Sequence, residues 1–120
     1  MARVLVVDDE PRFRRYLAQA LAREGHEVIA AEGELEALEK LGSFELQVLV
    51  ADWMLGAGHN GLELAARLRD RFPQLRTILI TGYPASDLAR TEGVDRLLAK
   101  PFAPVALCNA VAELTTPKRS

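Results

Sequence analysis

Three observations predict a doubly wound α/β fold for this 120-residue sequence. Short, β-branched apolar runs recur along the chain. Stretches of helical period separate them. Ionisable or hydroxyl residues stand directly after the runs rather than inside them. Alternation of this kind implies a parallel sheet with right-handed crossovers and helices on both faces.

The elements follow in order. Residues 4–7, Val-Leu-Val-Val, are an uninterrupted apolar run, as in a strand buried on both faces. Pro11 sits where a first-turn proline belongs, and Phe13, Leu17, Leu21 and Glu24 share a helical face with Ala20 beside it. Gly25 stands in the helix-stop position. Residues 27–31 form a weaker strand, and Leu35, Leu38 and Leu41 are spaced for a second helix that Gly42 stops. A third strand covers 46–50, and Leu64, Leu68 and Phe72 with Ala65 mark a third helix stopped by Pro73. A fourth strand covers 77–81, and Leu88 and its neighbours allow a short fourth helix ending near Gly93. Residues 96–99 are again a weaker strand, and the two weaker strands suit the sheet edges. Val105, Cys108 and Ala112, with Leu107, Val111 and Leu114, give a fifth helix.

Composition narrows the function. Hydrophobic residues make up 49% and charged residues 27%, an ordinary globular balance. At roughly 100–200 residues per domain the length allows one domain. We expect it to span 1–115, with 116–120 a polar tail or linker stub. Fifteen Lys and Arg against seventeen Asp and Glu leave a net charge of −2, which speaks against direct nucleic-acid binding. A single cysteine, Cys108, excludes an internal disulfide. No apolar run approaches membrane-spanning length. With no signal-peptide layout after Met1, the expected location is the cytoplasm, without membrane attachment.

In a doubly wound sheet, ligands bind beyond the carboxyl ends of the strands. Asp8-Asp9-Glu10 follow the first strand, Asp52 the third, Thr81 ends the fourth, and Lys100-Pro101 follow the fifth. Carboxylates gathered there repel one another, and a hard divalent cation relieves the repulsion. Mg²⁺ fits, because it takes one or two carboxylates plus water and phosphate oxygens. Lys100 offers a point charge for a phosphoryl oxygen, and Thr81 a hydroxyl. There is no P-loop glycine pattern and no Ser-His-Asp or Cys-His pair. A carboxylate nucleophile, a metal, a hydroxyl and an ammonium together make a phosphoryl-acceptor site.

From about Arg3 to Leu114 the chain resembles the receiver domain of two-component response regulators. The residues that carry the resemblance are Val4 to Glu10, Asp52, Gly61-Leu62-Glu63-Leu64, Thr81-Gly82 and Lys100-Pro101-Phe102. It implies a flavodoxin-like sheet of strand order 2-1-3-4-5 with five helices. It implies that Asp52 is the phosphoacceptor, with Thr81 and Lys100 bonding the phosphoryl group. It assigns Mg²⁺ to Asp8, Asp9 and Asp52 and to the backbone carbonyl of Met54, with Asp9 ahead of Asp8 as a direct ligand. It further implies a cis Lys100-Pro101 bond. The expected donor is a histidine kinase or phosphotransfer protein, and the expected readout is changed binding to an unidentified output domain or partner protein.

The sequence departs from the family pattern in three places. Gly56 stands where a proline is usual, in a longer loop running to Gly61. Leu97 stands where an aromatic is usual. The stretch from Thr81 to Lys100 is short. These departures point to a switch carried by the loop of Thr81 and Tyr83 rather than by a ring at position 97. Two rival readings remain: a pseudo-receiver used only for docking, and a Mg²⁺-dependent phosphatase with an aspartate nucleophile. Elsewhere, Arg12, Arg14, Arg15 and Arg23 read as a solvated face or a kinase contact, and His26 and His59 as surface residues. Cys108 reads as a small buried hydrophobe, and Trp53 either shields the site or packs on its loop.

Overall fold

Parallel pairing of five strands organises the computed structural model, which describes residues 2–55, 60–82 and 93–116. The strands are β1 (Arg3–Val7), β2 (Glu27–Ala31), β3 (Val48–Asp52), β4 (Arg76–Thr81) and β5 (Arg96–Ala99). The helices are α1 (Pro11–Arg23), α2 (Glu34–Leu41), α3 (Gly61–Arg71) and α4 (Pro104–Thr115). The sheet order is β2-β1-β3-β4-β5, all parallel, as the resemblance implied. Four helices stand among the described residues. The helix expected around Leu88 falls within 83–92, outside them, as do Tyr83, His59 with the rest of 56–59, and the tail from 117 to 120.

Side-chain alternation divides the core into two layers. Val4, Val6, Val48, Val50, Ile78 and Ile80 face α1 and α4, where Leu17, Leu21, Leu107 and Val111 meet them. Leu5, Val7, Leu49, Ala51 and Leu79 face α2 and α3, meeting Ala37, Leu41, Leu64 and Leu68. The central strands β1, β3 and β4 are almost wholly buried, whereas β2 and β5 carry mostly half-buried residues, as edge strands do.

Two helices turn faces that leucine and valine spacing alone mislocates. In α2 the buried residues are Ala37 and Leu41, while Leu35 is 79% exposed and Leu38 41%. This helix covers the sheet margin and needs only a narrow contact. In α4 the core takes Leu107, Ala110 and Val111, and Val105 is left exposed. Cys108 is half-buried, its thiol directed at the Ala20 carbonyl from 3.8 Å. His26 is more than a surface turn residue: its Nδ1 accepts the Ala2 amide at 2.9 Å.

Candidate functional site

The site lies at the carboxyl end of the sheet. Asp52 is the last residue of β3, is 8% exposed, and sits between two donors. The Met54 amide donates to its Oδ1 at 3.1 Å, and the Lys100 ammonium to its Oδ2 at 2.7 Å. Lys100 reaches there because its backbone amide is tied to the Thr81 carbonyl at 2.8 Å, one strand away. The Lys100-Pro101 bond that follows is cis. Burial alone would lower the Lys100 pKa, but the hydrogen bond to Asp52 and the charges of Asp52, Asp8 and Asp9 outweigh it and raise it.

A second hold on Lys100 has no signature in the sequence. Its ammonium lies 4.8 Å from the centre of the Phe13 ring, over the face. Phe13 in turn meets Phe102 edge-on, with centroids 6.0 Å apart. Phe13 shows a core period along α1, and nothing in that period points to a lysine more than eighty residues on.

Asp8 ends β1 one residue beyond its ladder and is 1% exposed. Its Oδ1 accepts the Glu10 amide at 2.8 Å. Its Oδ2 is buried with no hydrogen-bond partner among the described residues. Burial, followed by the charge of Asp52, raises its pKa from 3.8 to about 6, against the opposing pull of the Glu10 amide and of Lys100. Arg14 of α1 donates to the Asp8 carbonyl at 2.7 Å, so this arginine belongs to the site's support rather than to a solvated face. Asp9 is exposed beside Asp8.

The gathering of three carboxylates expected from sequence is thus two buried carboxylates with a third exposed next to them. Among the described residues no three His, Cys, Asp or Glu side chains form a metal cage. Mg²⁺ needs no such cage, since it binds through one or two carboxylates and keeps several waters. An orphaned buried carboxylate oxygen next to a second buried carboxylate is the donor set such an ion fits.

Thr81 closes β4, is 1% exposed, and pairs in register with Ala99 of β5, next to Lys100. Met54 keeps a 62% exposed side chain while its backbone bridges antiparallel to Asn60. The loop is closed from both ends. Trp53 N–H donates to Ile80 O at 2.8 Å, Gly61 N–H to Trp53 O at 2.9 Å, and Asn60 caps α3 by accepting the Glu63 amide at 2.8 Å. Gly61 is required there, since a Cβ would stand 2.5 Å from the Asp52 carbonyl and 2.9 Å from Leu79. The Trp53 side chain packs on the α2–α3 side of the core rather than standing clear of it. Leu97 is half-buried against the same cluster.

Comparison with known proteins agrees with this geometry. Residues 4–112 match the family model for the response regulator receiver domain. The chain is 38% identical over 112 residues to the chemotaxis protein CheY1 of Helicobacter pylori strain J99, covering 88% of this chain and 90% of the relative. It superposes with TM-score 0.80 and 34% identity on response regulator TrrA of Thermotoga maritima, solved in complex with Mg²⁺ and BeF, covering 95% of this chain and 99% of that one. A response regulator of Burkholderia pseudomallei, solved with a phosphorylated aspartic acid and a calcium ion, superposes with TM-score 0.78 and 34% identity over 97% of this chain and 68% of that one. The chain belongs to the response regulator receiver domain family of two-component systems.

Proposed function

We propose that Asp52 accepts a phosphoryl group from a histidine kinase or phosphotransfer protein in a Mg²⁺-dependent reaction. The observation that carries this reading is the Asp52 carboxylate, nearly buried at a strand end, held between the Met54 amide and the Lys100 ammonium, with the orphaned Asp8 oxygen nearby. One Asp52 oxygen forms the new bond to phosphorus as the bond from phosphorus to the donor nitrogen breaks, and the nitrogen keeps the electron pair. The Met54 amide and the Lys100 ammonium hold the carboxylate in place beforehand. Lys100 then follows the negative charge from the carboxylate to a phosphoryl oxygen, and the Thr81 hydroxyl bonds another. Asp8, Asp9, Asp52 and the Met54 carbonyl are the groups that would hold Mg²⁺, which supplies positive charge to offset that of the transferring group. The solved relatives support this, one holding Mg²⁺ and BeF, the other a phosphorylated aspartic acid.

The readout is a shift between two conformations that changes binding to an output partner. Attack of water on the acyl phosphate in the same pocket resets it. No helix among the described residues is long and apolar enough to cross a membrane, and we place the protein in the cytoplasm with its kinase.

Exposure to a small acyl-phosphate donor with Mg²⁺ tests the assignment. Wild type should take up one base-labile phosphoryl group, and Asp52→Asn none. Label retained by Asp52→Asn would move the nucleophile elsewhere.

A further inference from the structure

Lys100 carries its charge at the end of a long, flexible stem, and its side chain is 39% exposed. The ammonium is held by Asp52 Oδ2 at 2.7 Å and by the face of the Phe13 ring, 4.8 Å from its centre. The two holds differ in kind. The hydrogen bond is directional, and transfer to Asp52 weakens it, since a carboxylate that has become an acyl phosphate no longer carries its charge. The attraction to the ring face is broad, reaching about 6 Å from the centre, and the reaction leaves the ring unchanged. The ring is itself fixed. It meets Phe102 edge-on, with centroids 6.0 Å apart, and Phe102 lies on the same segment as Lys100. At its backbone, the Phe13 amide donates to Glu10 Oε2 at 2.5 Å, and the Glu10 amide donates to Asp8 Oδ1 at 2.8 Å. A chain of contacts thus runs from Asp8 through Glu10 and Phe13 to Lys100 and closes on Asp52.

We propose that Phe13 is a positioning residue of this site: its ring face keeps the Lys100 ammonium over the pocket while that ammonium passes from Asp52 to the phosphoryl group. This rests on the reading of Asp52 as the phosphoacceptor. Before transfer, the carboxylate at 2.7 Å offsets much of the charge that the ring meets. As Asp52 bonds to phosphorus, its hydrogen bond with Lys100 lengthens before the one to the phosphoryl oxygen is complete. The ammonium is then between partners and next to water, and the ring is the hold that remains. An interaction strongest at that point lowers the barrier rather than merely stabilising the resting site. Sliding over a ring face costs little, so one contact serves both positions of the ammonium. Phe13 exchanges no proton and no electron pair; it acts through Lys100. Leucine would suit the same core period of α1 and would lack the negative face.

Stepwise fluorination of the ring at position 13 tests this, because fluorine drains charge from the ring face and hardly alters its shape. The measurement is the rate of phosphoryl uptake from a small acyl-phosphate donor with Mg²⁺, in which no kinase has to dock. The rate should fall with each added fluorine, by about fivefold for the trifluorinated ring, at an unchanged melting temperature. Phe13→Leu should slow uptake by about tenfold. In a Lys100→Met background neither change should slow it further. NMR supplies a readout apart from rate. The ring current should shift the Lys100 Hε protons upfield, should still do so with Mg²⁺ and beryllofluoride bound, and should be lost in Phe13→Leu. A rate flat across the fluorine series overturns the proposal. So does a fall that persists in Lys100→Met, or Lys100 signals that leave their upfield position when beryllofluoride binds. Label kept by Asp52→Asn takes down both readings, whereas a flat fluorine series with label lost in Asp52→Asn takes down this one alone.

Discussion

The two ends of the sheet each hold one buried side-chain oxygen without a hydrogen-bond partner among the described residues. At the carboxyl end it is Oδ2 of Asp8, at the amino end Oγ1 of Thr77. Their surroundings differ. The Thr77 amide donates to Asp95 Oδ2 at 2.7 Å, the Asp95 amide returns to Thr77 O at 2.9 Å, and Arg76 pairs with Asp95 Oδ1 at 3.2 Å. Only a neutral hydroxyl is left over. Asp8 leaves over a carboxylate oxygen beside a second carboxylate, with its pKa pushed to about 6. A hollow of about 820 Å³ lies at the amino end. Its arginines are already engaged: Arg3 with Glu27 and Glu45, Arg71 with the Gly42 carbonyl and the Phe72 ring, Arg76 with Asp95. Unbalanced buried charge, rather than a hollow, distinguishes the carboxyl end, where we propose the phosphoryl group is received.

The strongest way to break the carboxyl end mechanically is Gly61→Ala. The added methyl meets backbone, the Asp52 carbonyl at 2.5 Å, and cannot be relieved by a rotamer change. The amino end of α3 must lift from β3 and pull the Met54–Asn60 bridge with it. We expect a loss of about 2–3 kcal/mol in urea melts, typical of overpacking. An unchanged midpoint would show that α3 is not pressed onto Asp52.

Asp8→Asn should act in the opposite direction. A carboxyl group whose folded pKa exceeds its unfolded value holds its proton longer in the fold. As pH rises from 3.8 to about 6, the unfolded chain releases that proton first and stability falls. At pH 7 in EDTA the variant should be more stable by about 2–3 kcal/mol, at roughly 1.4 kcal/mol per pKa unit. Below pH 4 the two should converge. Adding Mg²⁺ should then narrow the gap at pH 7, because wild type binds the ion better. Equal stability at pH 7 in EDTA would mean that Asp8 carries no such burden.

Thr77→Val sharpens the contrast. The orphan at the amino end is neutral, so removing its hydroxyl should stabilise by only about 1 kcal/mol, without pH or Mg²⁺ dependence. Any Mg²⁺ dependence of that gain would tie the two ends together.

Much of this was legible in sequence. The strands follow from β-branched runs, and the placement of Asp8, Asp52, Thr81 and Lys100 follows from their positions at strand ends. What was not legible depends on direction or on distant packing. Asp8 and Asp9 are adjacent at a strand end, where successive side chains point opposite ways. In a strand covered on both faces either can be buried; burial stops at Asp8 because Asp9 stands beyond the end of the sheet, and sequence does not say where that limit falls. Leu35 and Leu38 locate α2 but not its inward face, because a helix at the sheet margin buries only a narrow strip. Phe13 over Lys100 and Arg14 on the Asp8 carbonyl are contacts of α1 with strand-end loops, set by how α1 lies on the sheet.

His26 offers the smallest test and separates the two ends by pH. It sits just before β2, at the amino end, and partial burial lowers its pKa from 6.5. Its Nδ1 accepts the Ala2 amide, which only the neutral ring can do. A group whose folded pKa is lowered resists protonation in the fold, so its contribution is complete above pH 6.5 and is lost as pH falls below it. The sign is opposite to that of Asp8, whose burden grows as pH rises toward 6. His26→Ala should therefore cost about 1 kcal/mol at pH 8, the worth of one hydrogen bond, and less at pH 5. Combined with Asp8→Asn, the two effects should add, since the residues lie at opposite ends of the sheet and share no partner. Chemical denaturation of the four proteins at pH 5 and pH 8 measures both. A His26→Ala cost that grows at pH 5 would reverse this sign and show that the fold prefers the protonated ring.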